Sequence, residues 1–313
     1  MNLVFMGTPA FAVPSLQALL ADGHRVAGVF TQPDKPRGRG HAVAFPPVKE
    51  LALTHGIPVF QPETFRDGAA AQTLRALAPD LIAVVAYGRI LPRTALAIPP
   101  AGCINLHASL LPKYRGAAPI QWAVTNGETE TGVTTMHMAP ALDSGDIIYA
   151  ASLPIGPDET AAALQERLMV LGASLLAKTV RALADGAAPR TPQNEAEASF
   201  APLLRREDGR IDWRAGARRV CCLVRGMQPW PLARTAPEDW KIYAARETGR
   251  RTEGAPGAVV AAGPEGLEVL CGDGYTVLIT ELQAQGGRRM AAADYARGHA
   301  VPPSLLAEAE SGR

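Results

Sequence analysis

Leu81-Ile-Ala-Val-Val-Ala-Tyr87 carries no charge and shows no alternation of apolar with polar side chains. A strand with one face in water alternates. A strand covered on both faces reads as a continuous apolar run, the mark of a parallel sheet wrapped by helices. The segments on either side agree. Asn2 to Met6 reads as another buried strand, followed by Gly7-Thr-Pro9 and a helical stretch to about Leu20. Arg25 to Phe30 reads as a strand, Pro47 to His55 as a helix, Ile57 to Phe60 as a short strand and Ala69 to Leu77 as a helix. Downstream, Cys103 to His107, Gly132 to Met138 and Ile147 to Ile155 read as strands. Asp158 to Asp185 reads as one long helix, with Leu164, Leu168, Leu171 and Leu175 repeating along one face. This alternation predicts an α/β class with a Rossmann-like, mainly parallel sheet in an N-terminal domain over residues 1–188.

Residues 189–204 hold three prolines and little periodicity and are expected to be a linker. Beyond them the texture changes. Short β-like runs (Lys241 to Ala244, Gly257 to Ala261, Leu267 to Leu270, Thr276 to Leu282) alternate with glycine-rich turns, and Arg214 to Arg225 reads as a helix. A C-terminal domain over 205–313 built as a small, OB-like β-barrel is expected.

The 313 residues suffice for two domains, and a chain 47% hydrophobic and 19% charged fits a soluble globular protein. No apolar run approaches the length needed to span a bilayer. The N-terminus lacks a basic n-region, so a signal peptide is not expected and the cytoplasm is the expected location. Cys103, Cys221, Cys222 and Cys271 include no C-x-x-C pair and are expected to be reduced and structural. A net charge of +1 neither demands nor excludes a nucleic-acid partner.

Asn105 and His107 close the run Cys103 to His107. On a strand, a spacing of two puts both side chains on one face, and open α/β sheets bind ligands beyond the carboxyl ends of their strands. Asp143, in Leu142-Asp-Ser-Gly-Asp146, comes from a separate segment that the fold must bring close. An amide, an imidazole and a carboxylate suit acyl transfer onto an amine. Asn105 can donate to a developing oxyanion. His107 can bond that oxygen or relay a proton, and Asp143 can hold the imidazole or take part in the proton transfer. The first turn, Gly7-Thr-Pro-Ala-Phe11, lacks G-x-G-x-x-G, which argues against a nicotinamide dehydrogenase.

From end to end the chain resembles the methionyl-tRNA formyltransferase family. The strings that carry the resemblance are Phe5-Met-Gly-Thr-Pro9, Phe30-Thr-Gln-Pro-Asp34, Val84-Val-Ala-Tyr-Gly88, Ile104-Asn-Leu-His107, Ser109-Leu-Leu-Pro112, Arg115-Gly-Ala-Ala-Pro-Ile120, Leu142-Asp-Ser-Gly-Asp146 and Pro229-Trp-Pro231. The resemblance implies a formyltransferase N-terminal domain and formyl transfer from 10-formyltetrahydrofolate, a consumed co-substrate, to methionine on initiator methionyl-tRNA, by a monomer and with no metal. It implies Asn105, His107 and Asp143 as the catalytic set. It implies a folate pocket built from Ser109, Leu110, Leu111 and Pro112 together with Ala86, Tyr87, Gly88, Ile90 and Leu91. Backbone donors beside apolar walls suit a flat, amide-like pteridine.

Gln32-Pro-Asp-Lys-Pro-Arg-Gly-Arg-Gly-His41 reads either as a mobile solvated loop or as a segment that meets RNA through Arg37 and Arg39. The resemblance favours the second, with Arg39 foremost, and makes 205–313 a tRNA-binding domain. For Trp213, Trp230 and Trp240 core or interdomain packing is expected before base stacking. His137, in Met136-His-Met138, departs from the family pattern and is expected to point into the sheet with its hydrogen bonds satisfied. The rival acceptor is an amino sugar, formylated by a related folate-dependent N-formyltransferase. A non-catalytic binder has no need of the three polar groups.

Overall fold

Seven strands join in the first sheet: β1 (Asn2–Gly7), β2 (Arg25–Phe30), β3 (Val59–Phe60), β4 (Leu81–Val85), β5 (Cys103–His107), β6 (Glu130–His137) and β7 (Ile147–Pro154). This is a computed structural model, and it describes residues 1–37, 42–66, 68–236 and 238–306. The chain forms two compact units. One comprises Met1–Gly116, Thr131–Leu153 and Gln165–Ala201; the other comprises Ala117–Glu130, Pro154–Leu164 and Pro202–Arg313.

In the first unit the strand order is β7-β6-β5-β4-β1-β2-β3. The pairs β1·β2, β1·β4, β2·β3 and β4·β5 are parallel. The pair β5·β6 is antiparallel, so the sheet is mainly rather than wholly parallel. Every residue of β4 is buried, as its unbroken apolar run predicts. Between β1 and β2, and between β3 and β4, the chain passes through α1 (Val13–Ala21) and α3 (Ala69–Leu77), with α2 (Pro47–Thr54) before β3. Leaving β1 the chain first builds toward β2 and β3, then returns to place β4 on the other side of β1. That reversal lies at β1/β4, where open α/β sheets leave a crevice beyond the strand ends.

The short helix α4 (Arg93–Leu96) precedes β5, α5 (Pro119–Thr125) precedes β6, and the long α6 (Ala161–Ala184) follows β7. The helix expected over Asp158 to Asp185 is thus shorter at its start by one turn. Leu164 and Leu168 on its leucine stripe are fully buried.

Prolines and glycines kept Lys35–Arg37 and Ala42–Ala44 from reading as strands. They nevertheless pair antiparallel. Lys49 ties both ends of this hairpin stem. Its Nζ lies 2.6 Å from Asp34 Oδ2, just before the first strand, and 4.0 Å from the ring centroid of Phe45, just after the second.

The second unit holds an antiparallel sheet of β8 (Ala233–Arg234), β9 (Lys241–Arg251), β10 (Val259–Gly263), β11 (Gly266–Leu270) and β12 (Tyr275–Gln283) in the order β8-β9-β12-β11-β10, with β13 (Met290–Ala291) also on β12. Helices α7 (Ala217–Gly226) and α8 (Ala292–Gly298) belong to it. Trp213, Trp240, Val269 and Ile279 lie in its core, which is the packing expected of those two tryptophans. Trp230 differs: its side chain is exposed. All four cysteines are free and buried, and burial pushes the thiols of Cys103, Cys221 and Cys271 up to about 12.

Candidate active site

Asn105 and His107 stand two apart on β5 with Leu106 between them, so Leu106 faces the other way. There α6 crosses at Gly172, where a Cβ would lie 2.8 Å from a Leu106 methyl carbon. Glycine lets the helix press on the strand that carries the site. His107 is buried and Asn105 half-buried.

The His107 Nε2 lies 2.9 Å from the carbonyl oxygen of Tyr114. A carbonyl only accepts, so Nε2 carries a proton. This leaves Nδ1 facing Asp143, whose Oδ2 is 3.7 Å away. That gap is longer than a hydrogen bond, in keeping with catalytic contacts that tighten only around substrate. The same Oδ2 accepts from the Gly116 amide at 2.9 Å.

Asp143 has φ +47°, a left-handed conformation that aspartate tolerates better than most residues. Two residues on, a Cβ at Gly145 would fall 1.7 Å from the His137 carbonyl oxygen. Glycine is what lets the Asp143 loop lie against β6.

Segments that the sequence leaves unremarked hold this loop. The Gln193 side-chain amide donates to the carbonyls of Asp143 and Gly145, each at 2.8 Å. Its Oε1 accepts from Arg115 Nε at 3.1 Å and Nη2 at 2.8 Å. Arg115 also grips both carboxylate oxygens of Glu195, at 2.9 and 2.8 Å. The Arg115 bond holds the Glu195 carboxyl below its usual range, and the reciprocal bond raises the guanidinium further. Residues Phe200–Ala201 pair in parallel with Arg115–Gly116, and Thr191 exchanges backbone hydrogen bonds with Ile147. Much of the stretch expected to be a linker is therefore bonded into the first unit. No periodicity announces this, because the work is done by backbone groups and single polar side chains.

The expected folate residues fall at the carboxyl ends of β4 and β5. Ala86, with φ +46°, ends β4. The Tyr87 ring is buried edge-on to Phe65 at 6.3 Å, its hydroxyl has no partner, and burial pushes that hydroxyl up to about 12. Its carbonyl accepts from Thr8 and Gln32, and that of Gly88 from Gln32. Gly88 and Ile90 line a cleft of about 550 Å³ with Thr64, Phe65, Arg66, Arg89 and Pro92. Ile90 is 89% exposed, whereas Leu91 is buried in the core. Ser109 is buried, and Leu111 nearly so. The Thr134 hydroxyl donates to the Ser109 carbonyl at 2.7 Å and accepts from the Leu111 amide at 3.1 Å. Leu110 and Pro112 are half-buried.

Arg37 is paired with Ala42 in the hairpin stem, and Arg39 lies outside the described residues. His137 corrects an expectation: its Nε2 is buried with no hydrogen-bond partner. Burial, and then the charge of Arg190, holds the imidazole below its usual range. Among the described residues no group of three or more His, Cys, Asp or Glu side chains could hold a metal ion.

The pattern of the formyl transferase family matches residues 1–180, and that of the formyl transferase C-terminal domain matches residues 203–300. The chain is 50% identical over 308 residues to a methionyl-tRNA formyltransferase of Geotalea uraniireducens, covering 98% of this chain and 97% of the relative. It is 52% identical over 308 residues to one from Moorella thermoacetica, covering 98% and 99%. Among solved structures, an N-formyltransferase of Helicobacter canadensis in complex with folinic acid and dTDP-3-aminofucose superposes with a TM-score of 0.70 at 19% identity, covering 89% of this chain and 98% of that one. HypX of Aquifex aeolicus in complex with tetrahydrofolic acid superposes with a TM-score of 0.61 at 19% identity, covering 94% of this chain and 46% of that one. At such identities the two superpositions speak to fold alone. Both family patterns, and near-half identity along almost its whole length, place this chain in the formyl transferase family, among the methionyl-tRNA formyltransferases.

Proposed function

We propose that this chain transfers the formyl group of 10-formyltetrahydrofolate to the amino group of methionine on initiator methionyl-tRNA. The observation that carries the chemistry is the approach of the Asp143 carboxylate to His107 Nδ1 at 3.7 Å, while Nε2 is committed to the Tyr114 carbonyl. The acceptor assignment draws on the near-full-length relatives.

In the transfer, a carbon–nitrogen bond forms to the methionine amine and the bond to the donor nitrogen breaks. One proton leaves the amine and one reaches the departing nitrogen. The Asn105 amide supplies a donor for the negative charge that grows on the formyl oxygen. With Nε2–H fixed, Nδ1 is the imidazole nitrogen free to exchange a proton. Asp143 stabilises the imidazolium that results, or takes the amine proton itself.

The residues suit the folate. Its flat, amide-like ring finds the cleft beside Gly88 and exposed Ile90, and Ala86, Tyr87, Leu91 and Ser109 to Pro112 complete the set of residues that bind it. No metal takes part. Arg37 and Arg39 meet the tRNA, helped by a tRNA-binding C-terminal domain over 205–313, with residues 1–188 as the catalytic domain. The enzyme works as a monomer. Its place is the cytoplasm; among the described residues no helix is long and apolar enough to cross a membrane.

The test uses purified protein, a labelled formyl donor, and charged initiator tRNA, charged elongator tRNA and amino-sugar nucleotides as acceptors. Label is expected on the initiator tRNA. Label on the sugar alone overturns the acceptor assignment.

A further inference from the structure

Resting on the catalytic role proposed above for Asp143, we propose that Gln193 is a positioning residue for that carboxylate, itself oriented by the buried Arg115 guanidinium that Glu195 holds from the rim. The orientation of the Gln193 amide follows from its partners. Arg115 can only donate, so the atom facing its Nε and Nη2 is Oε1. The amide nitrogen then faces the carbonyls of Asp143 and Gly145, which can only accept. Every neighbour demands the same orientation, and the two N–H bonds hold the carbonyl of Asp143 itself, which brings its carboxylate to His107, and that of Gly145 two residues on.

The backbone they hold is a left-handed one, φ +47° at Asp143. Such a conformation persists only where its surroundings over-determine it. Here they do so from two sides. Gly116 N–H grips the carboxylate and Gln193 grips the main chain. Arg115 and Gly116 are adjacent, so one short strand supplies both the amide that touches Oδ2 and the guanidinium that aims Gln193. Arg115 is 4% exposed, and a buried guanidinium without a partner is costly. Glu195, whose side chain is 70% exposed, neutralises it from the rim.

Gln193→Glu is the sharpest variant. It keeps shape and strengthens the bond to Arg115, but turns a carboxylate oxygen toward two carbonyls and so pushes the Asp143 loop away. A displacement of about 1 Å at such a group costs roughly 10²-fold in turnover. The expected result is a fall in kcat of that order with KM for folate and for tRNA within about twofold of the parent. A double-mutant cycle separates positioning from mere structure. In the Asp143→Asn background, Gln193→Glu is expected to cost no more than a further twofold or so, because the group it positions is already gone. Unchanged kcat in Gln193→Glu, or losses that multiply in the double variant, overturn the inference. Near-normal turnover of Asp143→Asn alone overturns the catalytic role on which it rests, and the single variant tells the two failures apart. Should Gln193→Glu fail to fold, Gln193→Asn, too short to reach both carbonyls, is expected to lower kcat severalfold; a parental kcat there is equally fatal.

Discussion

The carboxyl edge of the first sheet and the antiparallel sheet of the second unit use charge in opposite ways. At the edge, His107, Arg115 and Asp143 are largely or wholly buried, and hydrogen bonds set their geometry: Oδ2 with Gly116, Nε2 with Tyr114, Oε1 of Gln193 with Arg115. In the second unit the pairs Arg246–Glu265, Arg289–Glu281 and Arg297–Asp294 join side chains that are mostly half or more exposed. Buried, bonded groups fix geometry to fractions of an ångström and are expensive to disturb. Exposed pairs contribute little and exchange partners readily. The first arrangement suits proton transfer. The second suits a surface that meets a polyanion in which no single charge dominates.

The largest expected effect falls on the buried side. His107→Asn should reduce turnover by roughly 10²–10⁴-fold, the usual contribution of an acid–base group, while thermal unfolding stays close to the parent; a turnover within tenfold of the parent breaks the contrast. Lys49→Met comes next. It removes both the 2.6 Å bond to Asp34 and the stacking on Phe45. The KM for tRNA should rise severalfold, with the folate KM unmoved; an equal rise in both would show a general folding defect.

Glu195 sharpens the comparison through pH. Its carboxyl is held below the ordinary range by Arg115. A lowered folded value means stability that is fully present above the ordinary carboxylate range and drains away as pH falls through the lowered value. Glu195→Gln should therefore lower stability at neutral pH, with the difference from the parent shrinking as pH falls below about 4.5, so that the variant's acid limb is flatter. Thermal midpoints across pH 3 to 7 check this, and an unchanged acid limb contradicts it. The smallest effect is expected at Arg246→Gln, an exposed pair. Stability should shift by less than about 1 kcal/mol, while the salt dependence of tRNA binding loses at most about one unit of slope.

The legibility of these two regions in the sequence differs for the same physical reason. Apolar periodicity reports burial, so β4 and β5, with the strand ends that carry Asn105 and His107, are plain from the run of residues. The leucine stripe of α6 is equally plain. The resemblance supplied Asp143, which no periodicity could place beside His107. Gln193, Glu195 and Thr134 stayed hidden because each acts through a few hydrogen bonds made far along the chain. A stretch with three prolines and small polar residues looks like a linker whether or not its backbone is paired. The hairpin at Lys35–Arg37 was masked by proline and glycine, and the isolated histidine at 137 gave no sign that its Nε2 would be left without a partner.

One measurement bears on the centre of the account most directly: the single-turnover rate of formylation of charged initiator tRNA by the folded Asp143→Asn protein at saturating folate donor. The carboxylate beside His107 predicts a rate lowered by roughly 10²–10⁴-fold with tRNA and folate still bound. A rate indistinguishable from the parent, in a protein that unfolds at the parent temperature, would contradict it.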